Sequence, residues 1–216
     1  MTSVLIIGGG GMIGQKLASS FSKNDSLTLL DIGFPNKNQS NARKMIGSVG
    51  DPEIIENSLK DLPEVIYYLA SVVSGEAEAD FSKGWDVNIH AFWAFLSLVK
   101  KLNEKSQGQY KPKIIFTSSI AVFGSPFPDQ IPDDFIAAPR TSYGAQKASC
   151  ELMLNDFSRK GFCEGLAIRL PTICVRPGKP NLAASSFFSG IIREPLSGIN
   201  AQLPVSTAVR HWHASP

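Results

Sequence analysis

The sequence predicts an α/β protein in which a parallel sheet is covered by helices on both faces. Six short apolar runs alternate with segments of helical periodicity over residues 3–170. Strands separated by helices connect through crossovers, so they lie parallel and are buried on both faces. The chain has 216 residues, of which 43% are hydrophobic and 19% charged. This is an ordinary balance for a domain with a sizeable core.

The strands are predicted at short apolar runs. The first, SVLII, runs directly into glycine, which is typical of a buried strand that ends in a turn. In chain order the six predicted strands are SVLII, LTLLD, a part of NARKMIGSVGD, EVIYYLA, KIIFTSS and EGLAIRL.

Four helices are predicted between these strands. In GMIGQKLASSF the side chains of Ile13, Leu17 and Phe21 recur at i, i+4 and i+8 and share one helix face. Asp51 is an N-cap residue for DPEIIENSLKDL. The run DVNIHAFWAFLSLVKKL is apolar almost all round, which indicates deep burial or contact with a partner. The last helix, TSYGAQKASCELMLNDFSRK, stops at Gly161.

The glycine-rich turn after the first strand predicts a dinucleotide-binding site. Gly8, Gly11 and Gly14 fit the spacing GxxGxxG, and Gly9 with the last two also fits GxGxxG. Such glycines allow a tight turn, let a pyrophosphate approach the backbone and let the helix pack closely on the strand. The helix N-terminus offers free N–H groups to the phosphates. A tight turn without a ligand is the plainer alternative. The cofactor contacts expected here are Gly8, Gly11, Met12, Ile13 and Gly14.

Asp31 supports the dinucleotide interpretation and selects between cofactors. It ends the second predicted strand, seventeen residues after Gly14. This is near the spacing of the carboxylate that binds the adenosine ribose hydroxyls. A carboxylate there repels a 2′-phosphate, and no arginine follows it closely. We therefore predict NAD, bound by a domain over residues 1–170.

A second group of residues predicts proton transfer at the same edge of the sheet. Ser119 ends the fifth strand, whose carboxyl end faces the ligand crevice in an open α/β sheet. Tyr143 and Lys147 lie at i and i+4 on one helix face, a spacing that an ordinary surface pair also has. A lysine ammonium and a positive nicotinamide both favour the phenolate, which would let Tyr143 take an alcohol proton near neutral pH. The serine hydroxyl would hold the reacting oxygen.

Together with the glycines, the stretches SSIAVFG, YGAQK and AIRLPT resemble the extended short-chain dehydrogenase/reductase family over the whole chain. The resemblance implies a Rossmann-type doubly wound sheet, a Ser119, Tyr143 and Lys147 triad, and contact between Lys147 and the nicotinamide ribose. Phe123 departs from the tyrosine that many members have. Further cofactor contacts implied by the resemblance are Asp51 at the adenine, Leu69, Ala70, Ser71 and Asn88, and Pro171 and Ile173 at the carboxamide.

Within that family, VVSGEAEADF, RLPTICVRPGKPN, SGIIREPLSG and RHWHASP are similar to the D-erythronate dehydrogenase subfamily. This similarity implies oxidation of the 2-hydroxyl of a small sugar acid to a 2-oxo acid. From Arg169 onward there are five Lys or Arg and one carboxylate, Glu194. Such a charge suits a carboxylate or a phosphate equally. Arg169 fits an ion pair within the fold as well as a substrate contact. The substrate contacts expected are Ser74, Ser119, Tyr143, Arg176 and Asn181.

The residue composition changes at Pro171. Beyond it, Pro, Gly and Ser interrupt short apolar pieces. We predict that residues 171–216 form a loop-rich part of the substrate-binding region. Members of the family run for about another hundred residues. The chain is therefore expected to be truncated relative to them.

Composition narrows the choice of partners and location. A net charge of +2 gives no case for nucleic acid, and no apolar stretch is long enough to span a bilayer. Three cysteines in no metal-binding pattern, without a signal peptide, predict reduced thiols in the cytoplasm. We expect no metal, because His211 and His213 are too few ligands and His90 is expected to pack in its helix. The family resemblance implies a homodimer through the helices that contain Trp93 and Tyr143.

Three functions stay open on the sequence. The first is an NAD-dependent dehydrogenase of a small anionic sugar acid. The second is a nucleotide-sugar epimerase or dehydratase, which would use the same three residues but need a pocket for a nucleotide diphosphate. The third is a non-catalytic NAD-sensing protein, which would not need the Ser–Tyr–Lys set.

Overall fold

The central sheet has six parallel strands. It is seen in a computed structural model that describes residues 2–22, 24–35 and 42–216. The strands are β1 (Ser3–Ile7), β2 (Ser26–Asp31), β3 (Arg43–Ile46), β4 (Val65–Tyr68), β5 (Lys113–Ser119) and β6 (Glu164–Leu170). Their order is β3, β2, β1, β4, β5, β6. The chain thus winds outward from β1 in both directions, which is the Rossmann order and confirms the predicted fold class.

The register of the sheet explains why its middle strand is so apolar. Val4 of β1 lies opposite Leu27 of β2 on one side and Val65 of β4 on the other. Residues 4–7 are at most 1% exposed. The strand at the edge, β3, lies within the stretch predicted for it, although the first residue of that stretch, Asn41, is outside the described residues.

Seven α-helices are described. They are α1 (Met12–Ser20), α2 (Pro52–Ser58), α3 (Ser74–Ala79), α4 (Phe81–Trp85), α5 (Ala91–Lys105), α6 (Ser142–Arg159) and α7 (Phe187–Leu196). Of these, α2, α5 and α6 pack in the larger core on one face of the sheet, and α1 packs in the smaller core on the other face. Asp51 caps α2 as predicted, since its carboxylate accepts hydrogen bonds from the Glu53 and Ile54 amides. The long helix predicted from Asp86 differs in one respect. Its first turn, Asp86–His90, is a π turn that joins α4 to α5.

The larger of two hydrophobic cores contains a cluster of four aromatic side chains. The Phe92 ring lies 4.8 Å from Tyr68 and 4.7 Å from Phe116, and Phe95 lies 5.1 Å from Tyr68, all between ring centres. None of the four is more than 1% exposed. Since Tyr68 and Phe116 lie on β4 and β5, the cluster holds α5 against the strands whose ends carry the site. A smaller core on Val4, Ile6, Ala18 and Leu29 packs with α1.

His90 corrects one expectation. Its side chain is 66% exposed and its Nδ1 lies 3.0 Å from the Asp86 carboxylate. The apolar residues of this stretch face inward, and the π turn leaves His90 on the outer side of the helix. The interpretation of His90 as a packed core residue is therefore wrong.

The residues after β6 form a small unit of their own. β7 (Thr172–Ile173) pairs in parallel with β8 (His213–Ala214). α7 attaches to the first loop because the Ser189 hydroxyl accepts a hydrogen bond from the Arg176 amide at 2.9 Å. The loop before α7 contacts α3 through a 2.9 Å hydrogen bond from the Ala184 amide to the Ser74 hydroxyl. These contacts place the segment over the carboxyl edge of the sheet. The predicted boundary at residue 171 stays a prediction.

Candidate active site

A large cavity lies at the carboxyl edge of the sheet. Its volume is about 1420 Å³, which exceeds the 300–1,000 Å³ of a typical small-ligand pocket. Its walls come from the loops after β1, β4, β5 and β6, the start of α6 and parts of residues 171–216. A cavity of this size has room for a dinucleotide together with a second molecule.

The structure brings most of the predicted site residues into this cavity. The predicted residues that line it are Gly8, Gly11, Met12, Ile13, Gly14, Leu69, Ser71, Ser74, Ser119, Tyr143, Lys147, Pro171, Ile173, Arg176 and Asn181. The predicted residues outside its lining are Asp31, Asp51, Ala70 and Asn88.

Close backbone approaches explain why the turn after β1 is made of glycine. Gly8 has φ +90°, and a Cβ added to it would lie 2.7 Å from the Ala70 nitrogen. A Cβ on Gly14 would lie 2.3 Å from the Gly8 oxygen. A side chain at either place would push apart the loop, the helix and the loop after β4. Both glycines are therefore required by the packing of the turn itself.

Gly11 is different, and it supplies the test of whether a cofactor fits. A Cβ added to it would meet only the Gly8 oxygen, at an ordinary 3.4 Å, so packing does not demand glycine here. The residue lines the cavity and is the N-cap of α1, where it offers no side chain to the first-turn amides. The first turn of α1 also holds no acidic residue. An open, uncapped helix N-terminus that faces a cavity fits the pyrophosphate of a dinucleotide.

The Asp31 carboxylate is hydrogen-bonded to the glycine turn. Its Oδ2 accepts a 2.8 Å hydrogen bond from the Gly10 amide, and its Oδ1 a 3.4 Å bond from the Gly33 amide. A carboxylate has about four acceptor positions, so acceptor capacity is left for ribose hydroxyls. The carboxylate therefore has a structural role that the sequence interpretation missed. Its contact with a ribose stays a prediction, as does a contact between Asp51 and adenine.

Asn88 lies behind the cavity wall. It is 4% exposed, and its Oδ1 accepts hydrogen bonds from the Ser71 hydroxyl at 3.0 Å and the Val72 amide at 2.9 Å. Its Nδ2 donates to Gln146 at 2.7 Å. Asn88 therefore ties the loop after β4 to α6 and reaches the cavity only through Ser71. Ala70 faces Gly8 through its backbone.

The three proposed catalytic residues meet where α6 begins. Ser119 ends β5, and its hydroxyl accepts a 3.1 Å hydrogen bond from the Ala121 amide. Thr141 is the N-cap of α6, and its side-chain oxygen accepts a 3.1 Å hydrogen bond from the Gly144 amide. This cap puts Tyr143 in the first turn and Lys147 one turn later, and all three line the cavity.

Lys147 is almost fully buried at 2% exposure. Its Nζ donates a 2.9 Å hydrogen bond to the Thr117 carbonyl and lies 4.7 Å from the centre of the Phe116 ring. Burial disfavours the ammonium form and lowers the pKa of Lys147 to about 8. The group is thus mostly charged at neutral pH but close to its titration point.

We expected Lys147 to favour the phenolate form of Tyr143, but the largest effect on the pKa of Tyr143 in the protein alone is burial. Burial raises the pKa of Tyr143, and the Ser71 and Ser119 hydroxyls oppose that rise. The Lys147 Nζ lies 5.6 Å from the centre of the tyrosine ring and is directed to the Thr117 carbonyl. The ammonium is therefore hydrogen-bonded to a backbone carbonyl and not to the phenol. The phenol is neutral at neutral pH in this cavity.

We call the part of the cavity wall formed by residues 171–216 the cationic wall, because it carries three arginines; the carboxylates of Glu76 and Asp129 line other parts of the cavity. The three arginines are Arg176, Arg193 and Arg210. Arg193 is held by the chain itself, since it donates to the Arg176 carbonyl at 2.7 Å and pairs with Glu194. Asn181 accepts a 3.4 Å hydrogen bond from the Ala183 amide. Of these residues, Arg176 and Asn181 are the two predicted to contact the substrate, and both line the cavity.

Arg169 answers a question that the sequence left open. It is paired with Glu151 at 2.8 Å and lies outside the cavity lining. Its role is within the fold. Sequence reasoning also missed wall residues, among them Arg193, Arg210 and the loop 127–131. The cation count after Arg169 pointed to the two arginines, whereas nothing in the sequence pointed to the loop.

Comparison with known proteins assigns the chain to a family. A model described as the NAD dependent epimerase/dehydratase family matches residues 4–213. The chain belongs to the NAD-dependent epimerase/dehydratase family. This epimerase/dehydratase-family chain is 43% identical to the D-erythronate dehydrogenase of Cupriavidus necator and 42% identical to that of Haemophilus influenzae. Each match covers 99% of this chain and 68% of the relative.

A solved structure agrees on the fold and carries a different name. A nucleoside-diphosphate-sugar epimerase from Agrobacterium tumefaciens superposes with a TM-score of 0.88 and 46% identity. That match covers 99% of this epimerase/dehydratase-family chain and 66% of the epimerase. The chain therefore spans about two thirds of the length of these relatives. The description of the family gives NAD as its cofactor, whereas the names of the relatives differ in substrate.

Two further findings concern the described part of the chain. Within it, no three His, Cys, Asp or Glu side chains are grouped so that they could hold a metal ion. None of its helices combines the length and apolarity that crossing a membrane requires. Of the two C-terminal histidines, His213 lies 3.6 Å from the Cys174 sulfur and 5.2 Å from the His211 ring, between ring centres.

The buried Lys147 makes stability depend on pH. Because its pKa is lowered from 10.5 to about 8, the unfolded chain binds the proton more tightly, so the free energy of unfolding rises with pH between these values. We expect the wild type to gain on the order of 2 kcal/mol over Lys147→Met between about pH 7 and pH 9.5. Urea denaturation of both proteins measures this, and the other titrating groups cancel in the difference. Parallel stability profiles would contradict a buried, shifted lysine.

Proposed function

We propose that this protein is an NAD-dependent dehydrogenase that oxidises the 2-hydroxyl of a small sugar acid, such as D-erythronate, to the 2-oxo acid. One observation carries the proposal. The Ser119, Tyr143 and Lys147 side chains open into the same cavity as the uncapped glycine turn and the cationic wall. The names of the two dehydrogenase relatives support it. A protein that only senses NAD would need no such group of proton-handling residues.

The glycine turn and the first turn of α1 would hold the pyrophosphate of the cofactor. Met12 and Ile13 line the cavity in the first turn of α1, which has no side-chain cap, so their amides would be free to donate to phosphate oxygens. Pro171 and Ile173 also line the cavity, and the nicotinamide end would lie beside them. NAD bound in this way supplies the hydride acceptor. Asp31 excludes a 2′-phosphate by its charge, which makes NAD the fitting cofactor.

Tyr143 would act as the general base on the substrate hydroxyl. Burial keeps the phenol protonated in the protein alone, so a positive charge must arrive before it can ionise. NAD, when bound, would supply a positive charge through its nicotinamide. Lys147, held by the Thr117 carbonyl, would contact the nicotinamide ribose, and Ser119 would donate a hydrogen bond to the reacting oxygen. Base and charge then act together only in the loaded site.

Arg176 would bind the substrate carboxylate. Its amide is fixed by Ser189, which is 3% exposed, and its carbonyl is fixed by Arg193. The backbone is thus anchored on both sides while the side chain faces the cavity. A guanidinium grips both oxygens of a carboxylate and so orients the neighbouring carbon.

A second candidate function is a nucleotide-sugar epimerase. The epimerase from A. tumefaciens, at 46% identity, favours it, and a cavity of about 1420 Å³ does not exclude a large substrate. The arginines suit a diphosphate as well as a carboxylate. The cationic wall therefore cannot choose between the two, and a direct assay must.

The assay compares four-carbon 2-hydroxy acids with nucleotide sugars. With a 2-hydroxy acid we expect NADH to accumulate, followed by its absorbance, because the product leaves oxidised. An epimerase would return the hydride and accumulate no NADH while its sugar product formed. Sugar epimerisation without oxidation of any acid would replace the proposed function with the second one.

The same assay tests Tyr143. Tyr143→Phe removes only the hydroxyl, so NAD binding should persist while kcat falls by a factor of about a hundred or more. Tyr67→Phe is the matched control, since Tyr67 packs on Phe21 outside the cavity, and it should leave kcat unchanged. Near-normal turnover of Tyr143→Phe would place the base elsewhere.

Arg176 is tested by charge and by shape. Arg176→Ala should lower kcat/KM on a hydroxy acid by about 2–4 kcal/mol in barrier, with NAD binding unchanged. Arg176→Lys keeps the charge but loses the fork, so it should also be impaired. Lys179→Ala, at an exposed position outside the cavity lining, is the control. An equal loss on an uncharged alcohol would show that Arg176 does not bind the carboxylate.

We also propose that two copies of this chain pair through α5 and α6. Trp93 on α5 is 52% exposed and Leu152 on α6 is 72% exposed. Trp93 packs edge-on against Phe157 of α6 at 5.7 Å, so the two helices present one apolar surface that a second copy would cover.

Light scattering tests the pairing. The wild type should have about twice the chain mass of 23.4 kDa, and Leu152→Glu should lower it toward one chain. Ile46→Glu, at the edge of the sheet and 69% exposed, should not. A monomeric wild type would refute the proposed dimer.

A further inference from the structure

A partly buried ion pair outside the cavity connects the elements that carry the proposed catalytic residues. Glu151 lies on α6, Ser118 on β5 and Arg169 on β6. Ser118 and Arg169 stand opposite each other in the register of β5 and β6. The side chains of Glu151 and Arg169 are 13% and 32% exposed, and Ser118 is 2% exposed. We call these three residues the Glu151 clamp.

Both oxygens of the Glu151 carboxylate are engaged. Arg169 donates through Nε at 3.0 Å to Oε1 and at 3.2 Å to Oε2, and through Nη2 at 2.8 Å to Oε2. The Ser118 hydroxyl donates to Oε1. Forked, charge-assisted contacts of this kind hold direction as well as distance. They differ from the exposed pairs on the surface, which restrain little.

The clamp is one of three attachments between α6 and the end of β5. A Cβ on Gly144 would lie 2.2 Å from the Ala121 oxygen, so the helix start touches the backbone after β5. One turn later Lys147 binds the Thr117 carbonyl. One turn later again, Glu151 binds Ser118. The second attachment contains Lys147, a proposed catalytic residue, whereas the third joins Ser118, which lines the cavity, to Glu151, which does not.

The flat face of the Arg169 guanidinium also packs against Phe123, a residue of the cavity wall. Its guanidinium carbon lies 4.9 Å from the centre of the Phe123 ring. Phe123 lines the cavity and packs against Phe135 at 5.7 Å and Trp212 at 6.1 Å. The edge of the guanidinium thus holds the helix while its face supports an aromatic wall.

We infer that the Glu151 clamp is a positioning unit that sets the Ser119 and Tyr143 hydroxyls relative to each other, an inference that rests on the proposed function. Ser118 adjoins Ser119 in β5, and Glu151 lies two turns after Tyr143 on α6. Loss of the clamp frees α6 to shift along the strand end. A shift well below the width of an atom is enough to misplace two hydroxyls that must meet one substrate oxygen.

Glu151→Gln is the first test, because it keeps the shape and removes the charge. We expect kcat on the hydroxy acid to fall about tenfold or more, while the Kd for NAD and the KM stay within about twofold. Arg169→Lys, which keeps the charge and loses the fork, should fall in the same direction but less. Asp156→Asn is the matched control, since Asp156 forms a 2.6 Å pair with Arg159 on the same helix with both side chains more than 60% exposed. It should leave kcat unchanged.

A second readout does not depend on turnover. The ring-carbon resonance next to the Tyr143 hydroxyl, assigned with Tyr143→Phe, reports the surroundings of that hydroxyl in the folded protein. It should move in Glu151→Gln and in Ser118→Ala and stay in place in Asp156→Asn. If the wild type oxidises no hydroxy acid, the proposed function fails while this resonance still decides the positioning role.

The outcomes separate positioning from plain stability. Folded clamp variants with wild-type kcat and an unmoved Tyr143 resonance would overturn the inference. The inference would also be overturned if kcat fell only in proportion to the fraction of folded protein, which thermal unfolding measures. Should Glu151→Gln fail to fold, Ser118→Ala removes a single hydroxyl from the clamp and is expected to lower kcat about threefold or more.

Discussion

The helix that carries Tyr143 and Lys147 must lie in van der Waals contact with the strand end that carries Ser119. The contact is possible only because residue 144 has no side chain, since a Cβ there would lie 2.2 Å from the Ala121 oxygen. The buried Lys147 then needs an acceptor, and the Thr117 carbonyl is the one within reach. A buried ammonium without such a partner would be costly. Close backbone packing and the demand of a buried charge thus set the helix in one place.

The part of the cavity next to the glycine turn also depends on positions that have no side chain. The chain leaves β1 at the point where the sheet winds outward in both directions, so the loops after β1 and β4 meet there. Gly8 and Gly14 let those loops and α1 come together, and Gly11 leaves the helix N-terminus open. Two halves of the cavity are therefore built by different loops but meet at one edge.

Burial sets the protonation states of Tyr143 and Lys147 in the cavity. Burial keeps the Tyr143 phenol protonated and brings the pKa of Lys147 down to about 8. Both effects come from the same loss of water, and each disfavours the charged form of its group. The base role proposed for Tyr143 therefore requires a further positive charge in the loaded site, which bound NAD would supply.

Local patterns in the sequence determined the alternation of strands and helices, the glycine turn, and the placing of Ser119, Tyr143 and Lys147 at one edge of the sheet. They could do so because strand ends in a parallel sheet share an edge and i, i+4 residues share a helix face. Only the tertiary structure decided the partners of Asn88, Arg169 and Asp31. These side chains bind groups distant in sequence, and no periodicity records which carbonyl or carboxylate a fold brings beside them. The raised pKa of Tyr143 also needed the structure, because burial is a property of the assembled cavity.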